Sequence, residues 1–271
     1  MFFPCDGKRV YVQTVNNCYK GTDFYGYNAA DGKVIFKTPF SAQWQSHLAP
    51  TIFKSNVYAN GGAYGGMYSF NGTSGEVNWM TPLAMYDMWT PAVNDTVAVA
   101  YTGGKLNVID QATGQWLFDI IDPNYSWRGY SAESAPVLLN DQMAINTQAG
   151  YLSFFDLKKK LVTNFCGSDY HGQPSTDGKS VYAAKNNGLS VIDIKSTQES
   201  WEWFKQNERV TGQFIVTANQ ILLATDKNIY AISKKTHREV WSYPRTGMIS
   251  LAKGHLFIST AEGYLEAINV S

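Results

Sequence analysis

One short pattern recurs seven times along this 271-residue chain. An alternating apolar strand ends on Asn, Asp or Ser, a four-residue turn follows, and a second strand begins. Gly26-Tyr27-Asn28-Ala29-Ala30-Asp31-Gly32 reads this way, as do Ser69-Phe70-Asn71-Gly72-Thr73-Ser74-Gly75 and Val108-Ile109-Asp110-Gln111-Ala112-Thr113-Gly114. The polar anchors are Asn28, Asn71, Asp110, Asp156, Asp193, Ser233 and Asn269, spaced 43, 39, 46, 37, 40 and 36 residues apart. A second marker keeps the same order: Pro4, Pro50, Pro91, Pro136 and Pro174, spaced 46, 41, 45 and 38. A third is a β-rich strand before each anchor, from Val10-Tyr11-Val12 to Leu256-Phe257-Ile258. Self-similarity of this length marks a repeat architecture, in which each unit buries its apolar faces against its neighbours.

Each unit reads as four short strands joined by Asn-, Asp- and Gly-rich turns, the chemistry of tight hairpins. No long segment with helical periodicity appears. The expectation is an all-β fold: a seven-bladed β-propeller of four-stranded antiparallel blades in a single domain, 1–271. The blades fall at approximately 1–40, 41–83, 84–121, 122–166, 167–205, 206–245 and 246–271. The anchors are expected to cap turns rather than act as catalytic acids. Trp79, Trp201 and Trp241 share the outer-strand position and are expected to pack between blades. The chain ends two residues past Asn269, so the last blade is expected to lack its outer strand. Tyr264 to Val270 would then form an open edge that invites pairing with another chain.

Alternating strand, Asp, turn closing on Gly and outer-strand Trp together resemble the pyrroloquinoline-quinone-type repeat of quinoprotein-like, BamB-type propellers. The resemblance covers nearly the whole chain. It implies the fold and not one function, because that superfamily holds cofactor-dependent dehydrogenases and an outer-membrane assembly lipoprotein alike. The dehydrogenases, as the resemblance goes, have eight blades, a vicinal disulfide and a calcium site. Here there are seven units and no adjacent cysteines, so no cofactor is expected and a quinone-dependent dehydrogenase is the weakest reading.

Composition removes other classes. Lys plus Arg equal Asp plus Glu at 22 each. A nucleic-acid binder needs a basic surplus to neutralise phosphates, so that partner is not expected. No run of 18 apolar residues exists, so no membrane-spanning helix is expected. Met1-Phe2-Phe3-Pro4-Cys5-Asp6 lacks the basic region of an export signal. The expected compartment is secreted or periplasmic with the signal outside this chain, and cytoplasmic as the alternative. Three cysteines without a CxxC pair leave two states open, one disulfide plus a thiol or three thiols. The four histidines are unclustered, so no metal is expected.

The aromatic surplus sits in loops. Connections between the outer strand of one blade and the inner strand of the next hold Trp44 and His47, Trp89, Trp127 with Arg128 and Tyr130, and Tyr170 with His171. Tyr64 lies in the loop Gly61 to Gly66. Rigid aromatic faces beside amides and charges suit a sugar or another ring-bearing ligand. Trp44, Tyr64, Trp89, Trp127, Arg128 and Tyr130 are therefore the candidate ligand-binding residues. If the face is catalytic, His171, Tyr170 and His47 are the candidate acid–base groups. The leading expectation is a non-catalytic binding or scaffold propeller, with a carbohydrate, a small molecule or a protein as partner. Protein contact would run through the loops or the open edge strand. The alternative is a polysaccharide lyase or glycosidase on the same face.

Overall fold

A computed structural model describes residues 4–15, 22–41, 49–61, 66–84, 88–127 and 133–270. Strands β1 (Arg9–Val15), β2 (Thr22–Asn28) and β3 (Val34–Phe40) form a three-stranded sheet in that order. Strands β4 (Thr51–Phe53), β5 (Asn56–Asn60), β6 (Met67–Asn71) and β7 (Val77–Thr81) form a four-stranded one. Next come β8 (Met88–Trp89) and the four-stranded set β9 (Ala92–Val93), β10 (Val97–Thr102), β11 (Lys105–Asp110) and β12 (Trp116–Ile121). Strand β13 (Glu133–Ser134) pairs in parallel with β8.

A seven-stranded sheet follows. It joins β14 (Val137–Asn140), β15 (Met143–Gln148), β16 (Gly150–Asp156), β17 (Leu161–Thr176), β18 (Ser180–Lys185), β19 (Gly188–Asp193) and β20 (Glu199–Phe204) in sequence order. Strands β21 (Val210–Val216), β22 (Gln220–Thr225), β23 (Ile229–Ser233) and β24 (Glu239–Tyr243) make a four-stranded sheet. Strands β25 (Met248–Ala252), β26 (His255–Ser259) and β27 (Leu265–Asn269) make a last sheet of three.

These sheets correct the expected blade count. Among the described residues there are five four-stranded blades, not seven: β4–β7, β9–β12, β14–β17, β17–β20 and β21–β24. The sheets at the two ends of the chain have three strands each. Two blades also share a strand. The 16-residue β17 runs unbroken from the outer position of one blade to the inner position of the next. Gly167, Gly172 and Pro174 lie inside it, and a register shift between His171 and Ser175 absorbs Gly172 and Pro174. A bulge lets a strand bend without ending, which a reading of glycines and prolines as strand breaks misses.

The described chain forms two compact units, Met1–Ala144 with Phe154–Thr163, and Ile145–Ser153 with Asn164–Ser271. In the first, aromatic cores pack Tyr11, Phe24, Phe40 and Phe70 in one cluster and Tyr58, Met67, Trp79 and Trp89 in another. In the second, Tyr182, Val191, Phe214 and Tyr230 form one cluster, and Leu222, Ile229, Leu256 and Ile258 another. Burying such side chains contributes roughly 1.5–3 kcal/mol each, the main favourable term in a fold of short strands.

The repeat anchors cap one turn type, used six times. The Asn71 Oδ1 accepts the Thr73 and Ser74 amides at 2.8 and 3.0 Å. Asp110, Asp156, Asp193, Asn28 and Ser233 receive backbone amides in the same way. Four residues on, the amide returns to the anchor carbonyl, as from Gly32, Gly75, Gly114, Lys160, Thr197 and His237. All six of those residues have positive φ. Asn, Asp and Ser suit the anchor because their short side chains bond their own backbone two or three residues ahead.

Five of these six left-handed residues, all but Gly32, are also docking points for the previous blade. The Phe36 ring lies against Gly75 and the Trp79 ring against Gly114, where a side chain would collide with the ring. Trp79 Nε1 donates to the Gln111 carbonyl at 3.1 Å. Lys160 Nζ sits 4.5 Å from the Phe118 ring centre, Asn164 donates to Thr197, and Trp201 stacks on His237 at 4.2 Å. One position of the repeat therefore caps a hairpin and carries the next interface.

Candidate functional site

The ends of the blades opposite these turns carry the connections that the sequence nominates. Trp44, His47, Tyr64, Arg128 and Tyr130 lie outside the described residues. Trp89 and Trp127 belong to the first unit, Tyr170 and His171 to the second.

Trp89 is 1% exposed and packs with Tyr58, Met67 and Ala98. Its ring faces are occupied by the core and offer no stacking surface. Trp127 is 60% exposed. It follows a loop fixed by Asp122, whose Oδ2 accepts the Tyr101 hydroxyl at 2.9 Å and whose Oδ1 accepts the Asn124 amide at 2.9 Å. The Asp122 amide donates to the Gly104 carbonyl, and the Tyr125 ring covers Gly104. An exposed indole thus follows a loop bolted to the hairpin beside it.

Tyr170 and His171 are consecutive on β17, so their side chains leave on opposite sides. The Tyr170 hydroxyl lies 3.1 Å from Ser190 Oγ, and burial pushes the phenol pKa up. His171 Nε2 donates to the Val210 carbonyl at 2.8 Å. Each thereby ties β17 to a different segment, and the two do not converge on a common position.

The sequence reading missed two charged groups in the second unit. Lys185 bridges Glu199 at 2.6 Å and also Glu202, while Ser190 Oγ donates to Glu199 at 2.5 Å. Burial works to lower the Lys185 pKa, but the two carboxylates outweigh it and hold the ammonium well above its ordinary value. The Cys166 thiol beside this group is half-buried and free, with its pKa raised by burial. Cys5 is exposed and free, and Cys18 lies outside the described residues. The second group centres on Glu208, which accepts from Thr225 at 2.6 Å, Tyr230 at 2.8 Å and Asn228 at 3.1 Å. Burial raises its pKa, and these three hydrogen bonds outweigh that to leave it below the ordinary value. Glu208 plays the part in its loop that Asp122 plays in the first unit.

A third missed feature is uncharged. Gln13 Nε2 donates to the Asn60 carbonyl at 3.1 Å, and Asn60 Nδ2 donates to the Trp89 carbonyl at 2.8 Å. All three residues are buried. The signal was available in the sequence: Gln13 and Asn60 each break an apolar run, at the same position of the repeat. Each stands opposite the residue four before its anchor, Phe24 and Met67.

Among the described residues no group of His, Cys, Asp and Glu is placed to hold a metal ion. Among the same residues no helix is long and apolar enough to cross a membrane. A cleft of about 410 Å³ on the first sheet, lined by Gly7, Lys8, Arg9, Asn28 and Ile35, lies at the turn end, away from the nominated loops.

Comparison with known proteins gives a family model described as outer membrane protein assembly factor BamB, matching residues 2–164 and 158–243. No curated protein matches the sequence. Among solved structures, BamB from Moraxella catarrhalis is 13% identical with a TM-score of 0.73, over 96% of this chain and 81% of that one. The computationally designed Ika8 protein is 13% identical with a TM-score of 0.74, over 99% of this chain and 82% of its own. At such identity the likeness shows the all-β propeller fold alone.

Proposed function

The chain belongs to the family of the outer membrane protein assembly factor BamB, and from that membership we propose that it is a non-catalytic propeller scaffold. It works in the assembly of outer membrane proteins, in an exported compartment, and binds protein partners through the loop ends of its blades. The observation that carries the reading is the build of those loops. Asp122, Glu208 and His171 spend their hydrogen bonds on loop residues and strands. A rigid loop with an exposed aromatic such as Trp127 is what a protein interface uses as an anchor, because ordering it costs little entropy.

The test replaces the gene in its host by a Trp127→Ala form and measures the amount of folded outer membrane protein. The expected result is a loss with Trp127→Ala and wild-type levels with Asp31→Ala, a change at a repeat turn. Equal levels in both strains would overturn the proposal. A carbohydrate ligand is the second reading, favoured by the same exposed indole, which would stack on a sugar ring. It predicts saccharide-dependent quenching of Trp127 fluorescence, and the scaffold reading predicts none.

A further inference from the structure

The Gln13, Asn60 and Trp89 group in the first unit has hydrogen-bonding capacity that no protein atom uses. The amides are oriented by their own bonds, since only their NH₂ groups can donate to the Asn60 and Trp89 carbonyls. That leaves Gln13 Oε1 and Asn60 Oδ1 as buried acceptors without a partner, and Trp89 Nε1 as a buried donor without one. The residues are 6%, 3% and 1% exposed. Buried polar atoms are nearly always paired, and an unpaired one costs the full desolvation penalty. Three in one linked group of neighbours call for a physical explanation.

We propose that Gln13, Asn60 and Trp89 form a binding site for one neutral polar group that offers two donors and one acceptor. The match is by count: two N–H or O–H bonds go to Gln13 Oε1 and Asn60 Oδ1, and one lone pair receives the Trp89 indole N–H. A water molecule has this complement, and so does a carboxamide. An ammonium lacks the acceptor and a carboxylate lacks the donors, so ions are excluded by the same count. The indole itself packs among Tyr58, Met67, Ala98 and Ala100. Gln13 and Asn60 hold equivalent positions in the first two repeats, where later repeats carry Tyr101, Ala184 and Ala224, so the site is specific to this part of the chain. It is independent of the scaffold proposal.

The test uses the full chain with Trp89 replaced by benzothienylalanine, a ring of nearly the same shape without the N–H. If the N–H holds a bound group, the replacement lowers Tm by about 2–4 °C, the shift for roughly 1 kcal/mol in a chain of this size. If the N–H is merely stranded, removing it leaves Tm unchanged or raises it, which overturns the proposal. The same replacement at Trp79, whose N–H has a protein partner, calibrates the loss. Magnetisation transfer from bulk water to the ¹⁵N-labelled Trp89 indole identifies water as the occupant. A saturable shift of that resonance on titration with acetamide identifies a carboxamide site. Absence of both, with unchanged Tm, contradicts the inference.

Discussion

The two ends of the blades are built on different principles. At the turn end, one device is used six times: an anchor caps the turn and a left-handed residue closes it, and in five of the six the previous blade docks on that residue. At the loop end the described connections are held by different side chains. Asp122 holds one to Tyr101, Glu208 holds another to Tyr230, and a neutral chain from Gln13 to Trp89 occupies a third place. Uniform turns fix stability, which every blade needs equally. Varied loops can carry recognition, because no single repeat pattern dictates their sequence.

That contrast can be broken by mutation. Trp79→Ala removes a ring that fills the interface over Gly114 and is expected to cost about 3–5 kcal/mol in denaturant unfolding. A loss below 1 kcal/mol would mean that the turn-end contacts do not carry the fold. Gly75→Ala is expected to cost about 2–4 kcal/mol, because it adds backbone strain at φ +79 to a collision with Phe36. Gly178 is a matched control, with φ +83 and open space around it. Gly178→Ala should cost only the strain, about 1–2 kcal/mol.

Asp177 sharpens the comparison through pH. Burial works to raise its pKa, but the ammonium of Lys234 at 2.6 Å, the Lys179 and Ser180 amides and the Tyr182 hydroxyl hold it far below the ordinary 3.8. A depressed carboxyl stabilises the fold fully above the unfolded value. That contribution drains away as pH falls below about 4, where the unfolded chain takes up the proton first. Asp177→Asn should therefore flatten the acid limb of the stability curve and lower stability at neutral pH. An unchanged acid limb would show that the network contributes nothing. The smallest effect is expected at the loop end: Glu208→Gln keeps the shape and should cost about 1 kcal/mol. Hydrogen exchange should then speed up in Val210 and its neighbours while the repeat turns stay protected.

How much of this was legible follows from the range of each interaction. The anchor turns were readable because the bonds that the anchor itself makes within the turn span five residues or fewer, so Asn71, Thr73, Ser74 and Gly75 specify one turn among themselves. Trp79 was readable as interface because it recurs at one place in the repeat. Strand β17 was misread because a bulge hides its continuity behind Gly172 and Pro174. Trp89 was read as a ligand platform from its loop setting, yet its burial among Tyr58 and Met67 is set by residues far away in sequence. Tyr170 and His171 looked like a pair because they are neighbours in the chain, and strand geometry is what separates them. The partners of Glu208 and Gln13 lie 17 to 47 residues off, which no local pattern encodes.

The central claim is that the loop end recognises a protein while the turn end only builds the fold. Site-specific photo-crosslinking in the host cell tests it most directly, with the probe at position 127 and, separately, at position 74 in a repeat turn. The account predicts a crosslinked protein partner from position 127 and none from position 74. Crosslinks from position 74 alone would contradict it.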